Sequence, residues 1–179
     1  MFNKETTMEK KINNIEDEEL QKLLDELGDQ NDIKRKNARK TLVAKGKESI
    51  DFLIELLAHP KHIYRWEAVK ALEEIADPDT VSVLIQTMED DKSDVRWIAA
   101  KALINIGKPA VKPLLRNLIE KSDRVFVLEG THHVFYELHE KGMLPADFPF
   151  DKFFAALKNP EWVDSVKPLA YEILDKLKS

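Results

Sequence analysis

The chain has 179 residues, of which 43% are apolar, enough to bury a continuous core in one elongated domain. It contains no cysteine, which excludes disulfides, a thiol nucleophile and a thiolate metal site. Charged residues make up 34% of the chain but leave a net charge of only −5, so the two signs have to be located separately. No apolar run is long enough to predict a membrane span, and we expect a cytoplasmic protein.

Residues 1–14 are polar and lack an apolar period, which predicts a flexible tail without a secretory signal. From residue 15 onward, two helical patterns alternate. The first is an apolar trio on one helical face, and it recurs at steps of 30, 31 and 30 residues. Its four copies are Leu20, Leu23, Leu27; Ile50, Leu53, Leu57; Val81, Leu84, Met88; and Val111, Leu114, Leu118.

The second pattern is Arg-x-x-Ala-x-x-Ala/Thr-Leu, which begins at Arg35, Arg65 and Arg96 and recurs at steps of 30 and 31 residues. A fixed period of this length predicts an all-α solenoid in which each repeat is one helical hairpin. Residues 143–179 break the period and are interpreted as a degenerate C-terminal cap of a single domain, 15–179. The predicted repeats are 15–46, 47–77, 78–107 and 108–142.

The third repeat ends in Val-Arg-x-x-Ala-Ala-x-Ala-Leu-x-x-Ile-Gly, and the fourth begins with an apolar helix at Pro109. Together with the short Asp-containing loops, these segments resemble HEAT repeats, in particular the short HEAT-like repeats of the phycobilisome lyase type. The likeness covers about residues 16–141 and implies an α–α superhelix of about four to five hairpins. Such repeats serve scaffolds, regulators and a few enzymes, so the likeness indicates the fold and not the function.

The outer face of the second helices carries tryptophan and lysine at fixed positions. Counting from the repeat arginine as zero, positions 3, 6, 7 and 10 form the packed stripe, which in the third repeat is Ala99, Ala102, Leu103 and Ile106. Position 1 lies nearly opposite this stripe, and position 5 lies on the same outer side. Position 1 holds Lys36, Trp66, Trp97 and, in the fourth repeat, Val127. Position 5 holds Lys40, Lys70 and Lys101.

The resemblance to HEAT repeats implies that these outer positions face a concave surface. Tryptophan is enriched where partners bind, and two equivalent outer indoles are not needed for packing, so we predict a partner-binding site. Its residues are Trp66, Trp97, Lys36, Lys40, Lys70 and Lys101. The alternative is that each indole lies on the aliphatic stems of neighbouring lysines and only covers the helix surface.

The repeat arginines border the packed stripe, which favours a structural role. We predict that they pair with loop carboxylates such as Asp32, Asp91 or Asp94 and thereby tether adjacent repeats.

The fourth repeat lacks the arginine–alanine pattern and instead places His132, Tyr136 and His139 on one helical face. A lyase-like or hydrolytic enzyme with its site at these residues is therefore an alternative function. Hydroxylases that resemble deoxyhypusine hydroxylase carry iron on His-Glu pairs, and the matching positions here read Trp66-Glu67 and Trp97-Ile98. Structural zinc needs four ligands, and none of the patterns supplies them. We predict no metal, no cofactor and no catalytic residue, and we favour a non-enzyme.

The function that we predict is a monomeric scaffold or adaptor that binds a protein partner on its concave face, with acidic partners as one option. No membrane partner is expected. Nucleic-acid binding through the basic stripe is a second alternative, which the negative net charge disfavours.

Overall fold

The computed structural model describes residues 18–121, 124–158 and 162–177, without the side chains of 162–164. Within these ranges the regular structure is helical, and the predicted tail 1–14 lies outside them. Short 3₁₀ turns at Gly46–Ser49 and Pro78–Thr80 precede α3 and α5. The helices are α1 Glu18–Leu27, α2 Asp32–Lys45, α3 Ile50–Leu56, α4 His62–Ile75, α5 Val81–Thr87, α6 Ser93–Ile106, α7 Lys108–Glu120, α8 Val125–Glu140, α9 Phe150–Lys158 and α10 Trp162–Lys176. None of the helices in the described ranges combines the length and the apolar character of a membrane span.

The chain divides after Ile75 into two compact units. In the first unit, α1 packs on α2 and α3 packs on α4, and the second helices α2 and α4 contact each other. These contacts are those of two stacked helical hairpins, as the period predicts. The single domain over 15–179 stays a prediction.

The second unit contains two further hairpins, α5–α6 and α7–α8. Their first helices α5 and α7 pack together, as do their second helices α6 and α8. At the end of the unit the order is inverted, because α9 packs on the second helix α8 while α10 packs on the first helix α7. The last helix therefore takes the place of a first helix, in line with its Val-Lys-Pro-Leu segment, which repeats that of α7.

Most residues of the predicted core columns are buried in both units, whereas Leu20, Leu57 and Ile106 are half-buried. Leu53, Leu84 and Leu114 of the middle column are fully buried, and so are Ala99 and Ala102 of the packed stripe. Small residues in that stripe allow helix axes to approach closely, since no long side chain separates them. The 3.6-residue period of the sequence thus locates the core in each hairpin.

The second helices end in a backbone conformation that favours glycine. Gly46 and Gly107 have φ of 58° and 78° with strongly negative ψ, a region that side chains with a Cβ rarely occupy. The equivalent residue of the second repeat is Ala76, which has φ of 51°. This alanine therefore carries a local strain that its neighbouring repeats avoid.

Candidate partner-binding site

Each repeat arginine folds back onto the loop that precedes its own helix. The guanidinium donates to backbone carbonyls there, so these bonds reach the loop backbone and not the predicted carboxylates. The Nη1 donors and carbonyl acceptors are Arg35 to Asp29 (2.7 Å) and Gln30 (3.0 Å), Arg65 to His59 (3.0 Å) and Pro60 (3.2 Å), and Arg96 to Asp90 (2.8 Å). The arginine pattern thus closes the turn of each hairpin.

The tether between adjacent repeats of the first unit is Glu67, a residue that the sequence did not single out. Its carboxylate accepts from Nε of Arg35 at 3.2 Å and from Nη1 of Arg39. Arg39 also donates from Nε to Glu74 at 3.2 Å. The Glu67 side chain is 2% exposed, so this network joins α2 to α4 from a buried position. The feature of the sequence that could have drawn attention to Glu67 is its position directly after Trp66, a tryptophan of the outer face.

Trp66 lies in the first unit and is half-buried. The Lys70 ammonium is 4.8 Å from the indole centroid, and the Arg39 guanidinium is 5.9 Å from it. These are cation–π distances, so the ring is partly covered by cations, in line with the alternative in which it lies on basic side chains. Lys36 and Lys40 are exposed on α2.

Trp97 lies in the second unit and is 55% exposed. Its ring stacks on that of His133, with centroids 4.3 Å apart and planes inclined by 20°. α6 carries the tryptophan and α8 the histidine, so the two second helices together build one outer feature. We call this pair the Trp–His stack. Trp66 and Trp97 belong to different units, so their predicted membership of one partner-binding site stays a prediction.

Two grooves share the Trp–His stack as a wall. The first has a volume of about 250 Å³ and is also lined by Arg96 and Phe126, with the Arg96 guanidinium 3.9 Å from the centroid of the Phe126 ring. The second, of about 220 Å³, is lined by Lys101, Glu137 and Lys141. Burial lowers the pKa of His133, with Lys141 acting in the same direction and Glu137 against it. A largely neutral histidine is therefore expected at neutral pH, which suits stacking on the indole.

Val127 is fully buried, so its predicted place on the outer face is wrong. The buried residues of α8 match those of α6 at a distance of 32 residues, since Val127, Val134 and Phe135 correspond to Val95, Ala102 and Leu103. The fourth repeat is therefore one to two residues longer than the others. In the corrected register, Glu129 takes the position of Trp97, and His133 takes that of Lys101.

The three residues of the enzyme alternative pack against phenylalanines of α9. The His132 ring is 4.5 Å from Phe154, the Tyr136 ring is 5.8 Å from Phe154, and His139 stacks on Phe150 at 3.5 Å. Burial lowers the pKa of His132, assisted by the nearby charge of Lys158. These contacts account for the three side chains as part of a helix interface. Among the described residues, no group of three or more histidine or acidic side chains is arranged to hold a metal ion.

Residues 50–129 match the family model for HEAT repeats. Among curated proteins, none matches the chain. The matched segment contains the second and third hairpins, α7 and the start of α8, including both tryptophans of the predicted site. With the hairpins described above, this similarity makes the fold an all-α helical repeat of the HEAT-like kind.

Proposed function

We propose that this protein is an interaction scaffold that binds a segment of a protein partner at the Trp–His stack. One observation carries the proposal: Trp97 exposes 55% of its surface from a helix, between two grooves. A large aromatic ring on a rigid element gives much contact area at little cost in conformational entropy. HEAT-like repeats are commonly scaffolds, and the similarity supports this class of function.

The first groove suits an apolar side chain. Its base includes Met88 and Ala100, which are both buried, together with Gly130. A Cβ atom at Gly130 would lie 2.7 Å from the Met88 sulfur, so glycine is what lets α8 approach this methionine. A partner residue in this groove would lie among side chains that include the indole of Trp97 and the ring of Phe126.

The second groove gives the site its polarity. Two lysines, Lys101 and Lys141, line it beside one carboxylate, that of Glu137. The two ammonium groups favour a carboxylate next to the apolar anchor of the partner. The segment that we propose therefore combines an apolar or aromatic side chain with an acidic one.

A peptide selection tests this proposal. Random peptides displayed on phage are selected on the immobilised protein, and the affinities of the enriched sequences are measured by calorimetry. If Trp97 is the anchor, Trp97→Ala should weaken them by about 2 kcal/mol or more, roughly thirtyfold. Because the ring is exposed, the free energy of unfolding should change by less than about 0.5 kcal/mol.

Tyr171→Ala is the matched control, because Tyr171 is an aromatic residue of the same unit that is 61% exposed. Equal binding to wild type and Trp97→Ala would contradict the proposal, and so would an equal loss in the Tyr171 variant. The phycobilisome lyase subtype, the cytoplasmic location and the monomeric state stay predictions.

A further inference from the structure

Helix α2 is strongly basic. Between Asp32 and Lys45 it carries six lysines and arginines against one acidic residue, Asp32. Four of the six cations have a carboxylate partner: Lys34 with Asp29 at 2.8 Å, Arg35 with Glu67, Arg39 with Glu67 and Glu74, and Lys45 with Glu19 at 3.2 Å. Lys36 and Lys40 are the two without an ion pair in the part of the chain that the structure describes.

These two lysines are presented together. They are four residues apart on one helix, so their Cβ atoms lie about 5–6 Å from each other on the same face. Both are exposed. Arg39, which precedes Lys40 by one residue, has its guanidinium 5.9 Å from the centroid of Trp66. The ammonium of Lys70, on α4, lies 4.8 Å from the centroid of the same ring. Like Lys36 and Lys40, Lys70 has no ion pair within the described ranges.

The ion-pair network that joins α2 to α4 is balanced in charge, with Glu67 buried and Glu74 exposed. Arg35 and Arg39 contribute two positive charges, and Glu67 and Glu74 contribute two negative ones. The outward field of this surface therefore comes mainly from Lys36, Lys40 and Lys70. Since Glu67 holds both arginines from a buried position, the backbone that carries the lysines is fixed before any ligand arrives.

We propose that Lys36, Lys40, Lys70 and Trp66 form an acidic-segment site, which binds a protein segment with carboxylates about one helical turn apart. The two lysines of α2 would meet these carboxylates, and an adjoining apolar side chain would cover the part of Trp66 that remains open. The inference rests on the proposed function, because it takes the ligand to be a protein segment, but it uses a different surface from the Trp–His stack.

A protein segment fits this surface better than a nucleic acid does. Nucleic-acid binding depends on many phosphate contacts along a basic stripe, whereas this site offers three lysines and one partly covered indole. The chain also has a net charge of −5, which opposes a long polyanion. A short segment with a few carboxylates can use the local charge without meeting the acidic remainder of the surface.

Fluorescence anisotropy tests the inference with three labelled probes. They are a short helical peptide with glutamates one turn apart beside a leucine, the same peptide with glutamine in place of glutamate, and a single-stranded oligodeoxynucleotide. The full chain should bind the acidic peptide, and both raised salt and the change to glutamine should weaken binding. Lys36→Gln combined with Lys40→Gln should weaken it about tenfold, the loss of two charge contacts.

The matched control is Lys108→Gln combined with Lys112→Gln. These lysines are also exposed and one turn apart, on α7, and their replacement changes the net charge equally. The control should lose less than about twofold, since two exposed lysines of another helix contribute only weak long-range attraction. An equal loss in both double variants would show unspecific attraction and overturn the inference. Absent binding of the acidic peptide would do the same, as would tighter binding of the oligonucleotide.

Trp97→Ala separates this inference from the proposed function. Its affinity for the acidic peptide should equal that of wild type, because the acidic-segment site lies in the first unit. A loss in this variant would place the peptide at the Trp–His stack and overturn the inference. Failure of the peptide selection at Trp97, by contrast, leaves this measurement unchanged.

Discussion

Glu67→Ala is the substitution that most directly tests the packing of the first unit. The carboxylate accepts from two arginines of the neighbouring repeat while its side chain is 2% exposed. Removing it leaves Arg39, whose side chain is 9% exposed, with Glu74 as its one carboxylate partner among the described residues. A buried cation that loses a partner keeps the cost of its desolvation without the compensating attraction.

The expected loss can be bounded from these contacts. Breaking a buried ion pair by removing one partner costs about 3–5 kcal/mol. Arg35 retains its bonds to the loop carbonyls of Asp29 and Gln30, and Arg39 retains Glu74, so we expect the lower end, about 3 kcal/mol. Glu74 is 43% exposed, and Glu74→Ala should cost less than about 1 kcal/mol as a surface pair.

Urea denaturation measures both losses. Circular dichroism follows the helices, and fluorescence follows Trp66 in a background where it is the only tryptophan. Replacing Glu67 by leucine together with Arg39 by methionine should recover more than half of the loss, because the most buried cation of the network is then removed with its partner, while Arg35 keeps its loop carbonyls. A cost below about 1 kcal/mol for Glu67→Ala, or no recovery in the double variant, would refute the role of this network.

Four further expectations concern the core and the backbone. Ala102→Leu should destabilise the protein by about 1–3 kcal/mol in urea denaturation, because Ala102 is fully buried and larger side chains overpack the stripe. Ala76→Gly should stabilise it by up to about 1 kcal/mol by relieving a positive φ, and an unchanged urea midpoint would contradict that strain. The hydroxyl of Thr131 is buried and finds no hydrogen-bond partner among the residues that the structure describes, so Thr131→Val should raise the free energy of unfolding by about 1 kcal/mol. Burial lowers the pKa of His132 and His133 in the folded protein. Below about pH 6.5, these two histidines are therefore protonated to a greater extent in the unfolded chain than in the folded protein. Stability should therefore be complete above that pH and should fall as the pH drops towards the folded-state pKa values, and replacing both by asparagine should flatten the dependence.

The hairpins and their core could be predicted because the burial of one helix face produces a local pattern in the sequence. A helix that buries one face must repeat apolar residues every three to four positions, and Leu53, Leu84 and Leu114 show this from the sequence alone. The partners of the repeat arginines produce no such pattern in the sequence. Every residue has a backbone carbonyl, so a bond from Arg96 to the carbonyl of Asp90 cannot be distinguished in the sequence from many others.

The exposure of the two tryptophans could not be predicted from their shared position. Trp66 and Trp97 occupy equivalent positions in successive repeats. The helical residues that cover the two rings, however, are different in the two repeats. Arg39 and Lys70 lie against Trp66, whereas Trp97 meets a flat imidazole at His133 and remains more than half exposed. A repeat pattern determines the position of a side chain on its helix. The neighbouring side chains determine how much of its surface stays exposed to a partner.

Helix α8 departs from the repeat pattern because its two sides have different neighbours. Towards α6 it offers Gly130 and His133, which allow close approach and stack on Trp97. Towards α9 it offers His132 and His139, whose rings lie against phenylalanines. The alanines of the other second helices could form neither the stack on Trp97 nor the contacts with the phenylalanine rings of α9. The loss of the repeat pattern in α8 is therefore what creates both the groove beside the exposed indole and the attachment of α9.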